Sequence, residues 1–185
     1  EIVSSLKDFV ESNRLGPDAM AISRSDFFSV ISRSKAAIKS ALMNQNLIAG
    51  IGNIYADEIL FQSGVHPTVK ALCLDDENYR ELYMNMHKVL KRAVERKADP
   101  NKMSDNYLLP HRYKDGKCPR CKGEFKTEKV GGRTAYYCRI ARRRKSKRLF
   151  KRQFFSVFIL FFLLVYLFCG FLFFRFLYQF LQILL

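Results

Sequence analysis

Apolar positions along the chain recur at helical spacing first and at strand spacing last. Ile2, Leu6, Phe9 and Val10 predict a first helix over 2–12, ended by Gly16-Pro17. Phe27, Phe28, Val30 and Ile31 predict a second, short helix, with Ser25 and Asp26 as candidate caps. A third presents Ala37, Ile38, Ala41 and Leu42 on one face, which turns Lys35 and Lys39 toward solvent or a partner. The fourth, 53–63, buries Ile54, Tyr55, Ile59 and Leu60 and stops at Gly64. Asp75 caps a fifth, running to about 97, with Leu82, Met86, Val89, Leu90 and Val94 inward. Pro100 and Pro110 bracket a linker. Beyond it the period becomes two: 124–130, a Gly131-Gly132 turn and 133–137 predict a β-hairpin.

Between the third and fourth helices the stretch 35–62, KAAIKSALMNQNLIAGIGNIYADEILFQ, is broken at Gly50-Ile51-Gly52-Asn53. Gly50 and Gly52 can adopt backbone angles closed to other residues, so successive amides can converge into an anion-binding nest. Asn53 would then cap the following helix and supply a side-chain donor, where the helix N-terminus adds partial positive charge. The alternative is an ordinary helical corner whose glycines only permit close packing.

Cys118-Pro119-Arg120-Cys121, followed after sixteen residues by Cys138, makes most of a C-x2-C-x16-C-x2-C zinc hairpin. Together with Leu15-Gly16-Pro17-Asp18, the Gly-Ile-Gly-Asn turn and Gly64-Val65-His66-Pro67, these residues resemble the formamidopyrimidine-DNA glycosylase family, which includes the endonuclease VIII relatives, from about 15 to 138. The second knuckle departs from that pattern. Cys138-Arg139-Ile140-Ala141 puts Ala141 where a fourth thiolate belongs, and three soft ligands do not close a tetrahedral structural site, so Zn2+ binding is expected to be impaired. His111 lies too far upstream to be an obvious substitute. Cys73 and Cys169 read as unpaired cysteines in a reducing compartment.

The resemblance implies a mainly α fold: a helix-two-turn-helix DNA-binding domain over 1–100, a linker over 101–115, a degenerate zinc-finger hairpin over 116–141, and an aberrant basic and apolar tail over 142–185. It also implies roles. Asn53 with the backbone of Gly50, Ile51 and Gly52 would clamp phosphates flanking a lesion, and Lys35 would contact DNA. Arg133, at the hairpin tip, would grip the phosphate of the extruded nucleotide and act catalytically as proton donor in the second elimination. Guanidinium forks and amide nests are strong phosphate partners, which is why these residue types suit those roles. In the family an N-terminal proline amine forms a Schiff base with the sugar, within a β-rich domain. The chain opens at Glu1-Ile2-Val3 and runs straight into a helix, so it reads as the C-terminal part of a longer protein, inactive by itself as a glycosylase.

Charge is unevenly placed. Of 32 Lys+Arg and 17 Asp+Glu, residues 139–185 hold ten of the bases and none of the acids, leaving a moderately basic body suited to a polyanion. The tail has eight bases within 142–152, then 22 uncharged residues over 153–174, the hydropathy of a transmembrane helix with a basic flank. It also holds 12 of the 17 Phe and no Pro. Loss of one C from codons for Cys-Pro-Asp-Cys-Gln yields Cys138-Arg139-Ile140-Ala141-Arg142, so the tail is read as a frameshift product rather than an anchor.

The resulting expectation is the DNA-binding C-terminal part of a base-excision-repair glycosylase and AP lyase for oxidised purines. It would be a cytoplasmic, nucleoid-associated monomer that binds double-stranded DNA without sequence preference. The alternatives are a non-catalytic nucleic-acid-binding module and, if the tail is genuine, a membrane-anchored protein.

Overall fold

Residues 5–140 are described by a computed structural model; among them are five α-helices and one hairpin. Helix α1 (Leu6–Ser12) starts at Ser5, whose hydroxyl accepts the Asp8 amide at 3.2 Å. Helix α2 (Arg24–Ser32) is capped by Ser23, which accepts from the Asp26 amide at 3.1 Å, so the cap lies two residues before the expected Ser25. Helix α3 (Ile38–Leu42) is little more than one turn. Helix α4 (Asn53–Ser63) ends at Gly64 in the left-handed region at φ 65°, and Asp75 opens α5 (Asp76–Glu95) by accepting the Asn78 amide at 2.8 Å. Strands β1 (Lys126–Val130) and β2 (Arg133–Tyr137) pair antiparallel, from Lys126 opposite Tyr137 to Val130 opposite Arg133.

The core is built on Phe27, Ile31, Ile38, Leu42, Ile48, Ile51, Ile59, Leu82 and Met86, all essentially inaccessible. Two positions expected inside are outside. Ile54 is 43% exposed because it lies half a helical rotation from Ala56, and Ala56, Ile59 and Leu60 take the inner face of α4. Val94 is 72% exposed because Ala93 continues the stripe of Leu82, Met86, Val89 and Leu90. The stretch bracketed by Pro100 and Pro110 does not run free: Met103, Tyr107 and Leu109 join the core. A second apolar cluster, Phe61, Leu108, Cys118 and Cys138 with Phe125 and Tyr136 against it, seats the base of the hairpin on α4.

No helix among the described residues is long and apolar enough to cross a membrane. The readings placed on 141–185, including the replaced fourth ligand at Ala141, the frameshift and the anchor, lie outside the described residues.

Candidate nucleic-acid interface

The turn before α4 is assembled from two strands of backbone and one side chain. Gly16 donates its amide to the Gln45 carbonyl at 2.8 Å, Ala49 donates to Pro17 at 3.0 Å, and Ala19 donates to Ala49 at 2.9 Å. The approach is close enough that a Cβ on Gly16 would lie 2.6 Å from the Leu47 carbonyl. Gln45 then spans the turn, donating from Nε2 to the carbonyls of Met43 (3.1 Å) and Ile51 (2.9 Å) while its Oε1 accepts the Gly50 amide at 2.9 Å. Gly50 sits at φ 97°, a conformation that side-chain-bearing residues rarely adopt.

This geometry changes the expected phosphate nest. The Gly50 amide is already committed to Gln45, and Ile51 is buried in the core, so these two residues set the turn's shape. Gly52 is the N-cap of α4 and offers no side-chain acceptor, which places Asn53 one position inside the helix rather than at the cap. The first-turn amides of α4 therefore carry the helix's positive end uncapped by any side chain. Beside them the Asn53 Oδ1 atom is buried without a hydrogen-bond partner. Oδ1 can only accept, so an oxyanion at this uncapped helix N-terminus would be met by the first-turn amides of α4 and by the Asn53 Nδ2 amino group.

One turn further along α4 stands Asp57, completely buried. Its Oδ1 lies 2.7 Å from Lys39 Nζ, and its Oδ2 accepts from Arg112 Nη2 at 2.9 Å, Arg112 Nε at 3.1 Å and the Tyr136 amide at 3.2 Å. Lys39 is thus the opposite of the solvent-facing lysine expected from helical spacing: it is 0% exposed and also donates to the Thr134 carbonyl at 2.8 Å. Burial lowers the Lys39 ammonium from its ordinary range, opposed by the Asp57 carboxylate. Removing one member of such a buried group strands the others, which typically costs about 3–5 kcal/mol.

The hairpin rests on these groups. A Cβ on Gly131 would meet Ser40 Oγ at 2.6 Å, which places the tip against α3. His66 stacks edgewise on Tyr137 at 4.3 Å, and Arg112 lies over the Tyr136 ring at 4.6 Å. At the base, Arg120 donates to the Phe61 carbonyl at 3.0 Å and to Gln62 Oε1 at 2.6 Å, covering the end of α4. Arg133 is exposed at the tip, and Lys35 is exposed before α3.

The thiols of Cys118, Cys121 and Cys138 all lie within 4.8 Å of one another, a donor set suited to a soft or borderline metal such as Zn2+. The Gly123 amide lowers the Cys121 thiol, whereas burial pushes Cys138 up to about 12. A bound cation would supply the positive charge that holding Cys138 as a thiolate requires. His111 is directed elsewhere, with its Nε2 3.0 Å from the Asp105 carbonyl.

Residues 15–105 match the formamidopyrimidine-DNA glycosylase H2TH domain. They are an H2TH domain of that family. The chain is 37% identical over 135 residues to the formamidopyrimidine-DNA glycosylase of Solibacter usitatus, covering 68% of this chain and 51% of that protein. With the Mycoplasma mobile enzyme of the same name it shares 33% over 135 residues, 68% and 49% of the two chains. The chain thus spans about half the length of these curated relatives. Lactococcus lactis Fpg, solved in complex with DNA containing an abasic site, has the same fold: TM-score 0.65 at 23% identity, over 75% of this chain and 55% of that one.

Within this H2TH domain and its hairpin, three residues that organise the site were not read from the sequence. Gln45 lies five residues before Gly50 and carries no motif that marks its bracing role. Asp57 and Arg112 are 55 residues apart and carry no local pattern that pairs them.

Proposed function

We propose that this chain supplies the DNA-holding part of a formamidopyrimidine-type base-excision reaction, gripping the phosphates of damaged duplex DNA. The observation that carries the reading is the uncapped N-terminus of α4, with the Asn53 side chain in its first turn, in an H2TH domain of this family. Asn53 and the first-turn amides of α4 would bind one phosphate. Arg133, projecting from the anchored hairpin, would bind a second with its guanidinium fork, and Lys35 would add a solvated charge. In the complete reaction Arg133 would also donate the proton of the second elimination. Excision of an oxidised purine and strand cleavage are proposed for the whole enzyme.

Cys118, Cys121 and Cys138 would hold Zn2+ at the hairpin base. The metal's part is structural, tying the base of β2 to the knuckle at Cys118 and Cys121. Phosphate binding itself falls to Asn53, the α4 amides and Arg133.

A contact set of this kind reads backbone and not base, so binding should be weak, steeply salt dependent and nearly indifferent to the lesion. Labelled duplexes with and without 8-oxoguanine, titrated at several salt concentrations, test this. Arg133→Ala should flatten the slope of log K against log salt by about one unit, whereas Asn53→Ala, which removes a neutral donor, should weaken binding with the slope retained. Salt-independent binding, or strong preference for the 8-oxoguanine duplex, would overturn the reading.

A further inference from the structure

We propose that Asp57 is the positioning residue for Arg133. A single buried carboxylate fixes the distance between the two phosphate-binding ends of the site, the α4 N-terminus and the hairpin tip. The proposal rests on the reading of Arg133 as a phosphate ligand.

The hairpin's outer half is held at few points, the buried Val130 and the approach of Gly131 to Ser40 among them. Four of the five β1 residues are exposed, and an isolated two-stranded hairpin is marginal in water. Its base is seated by the apolar cluster at Phe61 and Leu108 and by the three thiols, all at the Cys138 end of β2. Arg133 stands at the opposite end of that strand. Between them, two backbone groups of β2 are taken by the buried ionic group: the Tyr136 amide by Asp57 Oδ2 at 3.2 Å, and the Thr134 carbonyl by Lys39 Nζ at 2.8 Å. Thr134 adjoins Arg133, so the last pinned backbone group is one residue from the guanidinium-bearing position.

Asp57 also belongs to the other half of the site. It follows Asn53 by four residues on α4, so the two share a face about 6 Å apart along the axis. The carboxylate divides its work: Oδ1 holds Lys39, which reaches the strand near the tip, and Oδ2 holds Arg112 and the strand itself. Arg112 comes from the segment between the helices and the knuckle, so helix α3, helix α4, that segment and the hairpin converge on one side chain. Asp57 touches no ligand in this scheme. It acts by setting where Arg133 stands relative to Asn53.

The test is a double-mutant cycle on the full chain, with binding to labelled duplex DNA at several salt concentrations as the readout and far-UV circular dichroism as the folding control. Asp57→Asn should weaken binding about tenfold and flatten the salt slope by about one unit in the wild-type background. It should do neither in an Arg133→Ala background, and should keep its full effect in Lys35→Ala. Hydrogen exchange at the Tyr136 amide should rise in the same variant. If Asp57→Asn does not fold, Arg112→Met, which leaves the Lys39 pair intact, takes its place with the same expected pattern. An equal loss of affinity in the wild-type and Arg133→Ala backgrounds would reduce Asp57 to a stability element and overturn the proposal. An Arg133→Ala variant that binds with unchanged affinity and slope would instead remove the phosphate-ligand reading, and the proposal with it.

Discussion

Gln45 Oε1 accepts the Gly50 amide at 2.9 Å while Gln45 Nε2 holds the Ile51 carbonyl, so one side chain closes the turn that aims α4. Gln45→Ala should leave the helices intact, because the core residues Leu42, Ile48 and Ile51 are untouched. It should free the turn, however, and cost about 1–2 kcal/mol for the partners left unsatisfied. DNA affinity is expected to fall with the salt slope retained, since no phosphate ligand is removed. Denaturant melts and salt titrations of the variant check both parts, and a flattened slope would show that freeing the turn also displaces a charged phosphate ligand.

Gly16 tests the same turn from the other side. Gly16→Ala would set a methyl 2.6 Å from the Leu47 backbone, where no flexible side chain can yield. The strand 15–18 must then move off the turn, breaking the bonds at Gln45 and Ala49. Overpacking against backbone costs about 1–3 kcal/mol. The expected result is a lower Tm together with faster hydrogen exchange at the Ala49 amide; an unchanged Tm would mean the segment docks more loosely than its geometry implies.

Much of this architecture was legible because its signals are local. Asp75 caps α5 and Gly64 ends α4 as their residue types require, and the Gly131-Gly132 pair turns the hairpin with φ of 55° and 74°. What escaped depends on partners distant in sequence. Lys39 falls on a helical face that spacing alone turns outward, yet its countercharge is Asp57 and its acceptor is Thr134, 95 residues on. Asn53 lies one residue inside the helix because the cap falls on Gly52, whose extended conformation (φ −96°, ψ 176°) is open to any residue and so leaves no sequence signal. Of the candidate ligands, the three cysteines do converge, since C-x2-C spacing and hairpin register together bring them to one point.

Glu58, buried beside Asp57, should give the fold a measurable pH dependence. Burial raises its carboxyl above the ordinary 4.5, opposed by bonds from Gln62 and the 108–109 backbone and by the charge of Arg120. A folded-state value above the unfolded one means the fold favours the protonated form. Its contribution is complete below the unfolded value, declines as pH rises through the interval up to the folded value, and stays lost above it. Glu58→Gln removes that decline, its carboxamide oxygen still able to accept the Leu109 amide that Glu58 Oε2 holds at 2.8 Å. As pH rises above the ordinary carboxyl value of 4.5, the wild-type Tm should therefore fall relative to that of the variant. Parallel profiles for the two proteins would assign the proton uptake to another group.

Zinc affinity should be limited by the number of thiolates and not by their placement. Cys118, Cys121 and Cys138 already lie within 4.8 Å of one another, so little chain entropy remains to be lost when a metal arrives. Structural Zn2+ in small folds contributes on the order of 10 kcal/mol with four ligands, and a three-thiolate site forfeits a large share of that. Ala141→Cys restores the C-x2-C spacing after Cys138 and should raise zinc content from substoichiometric to one per chain. The tip should respond less than the base: the Tyr136 and Thr134 backbone groups are held by Asp57 and Lys39, independently of the metal. Elemental analysis of both forms, with hydrogen exchange at Tyr136 before and after chelation, separates the two anchors. Equal, stoichiometric zinc in both forms would mean that a fourth ligand already completes the site.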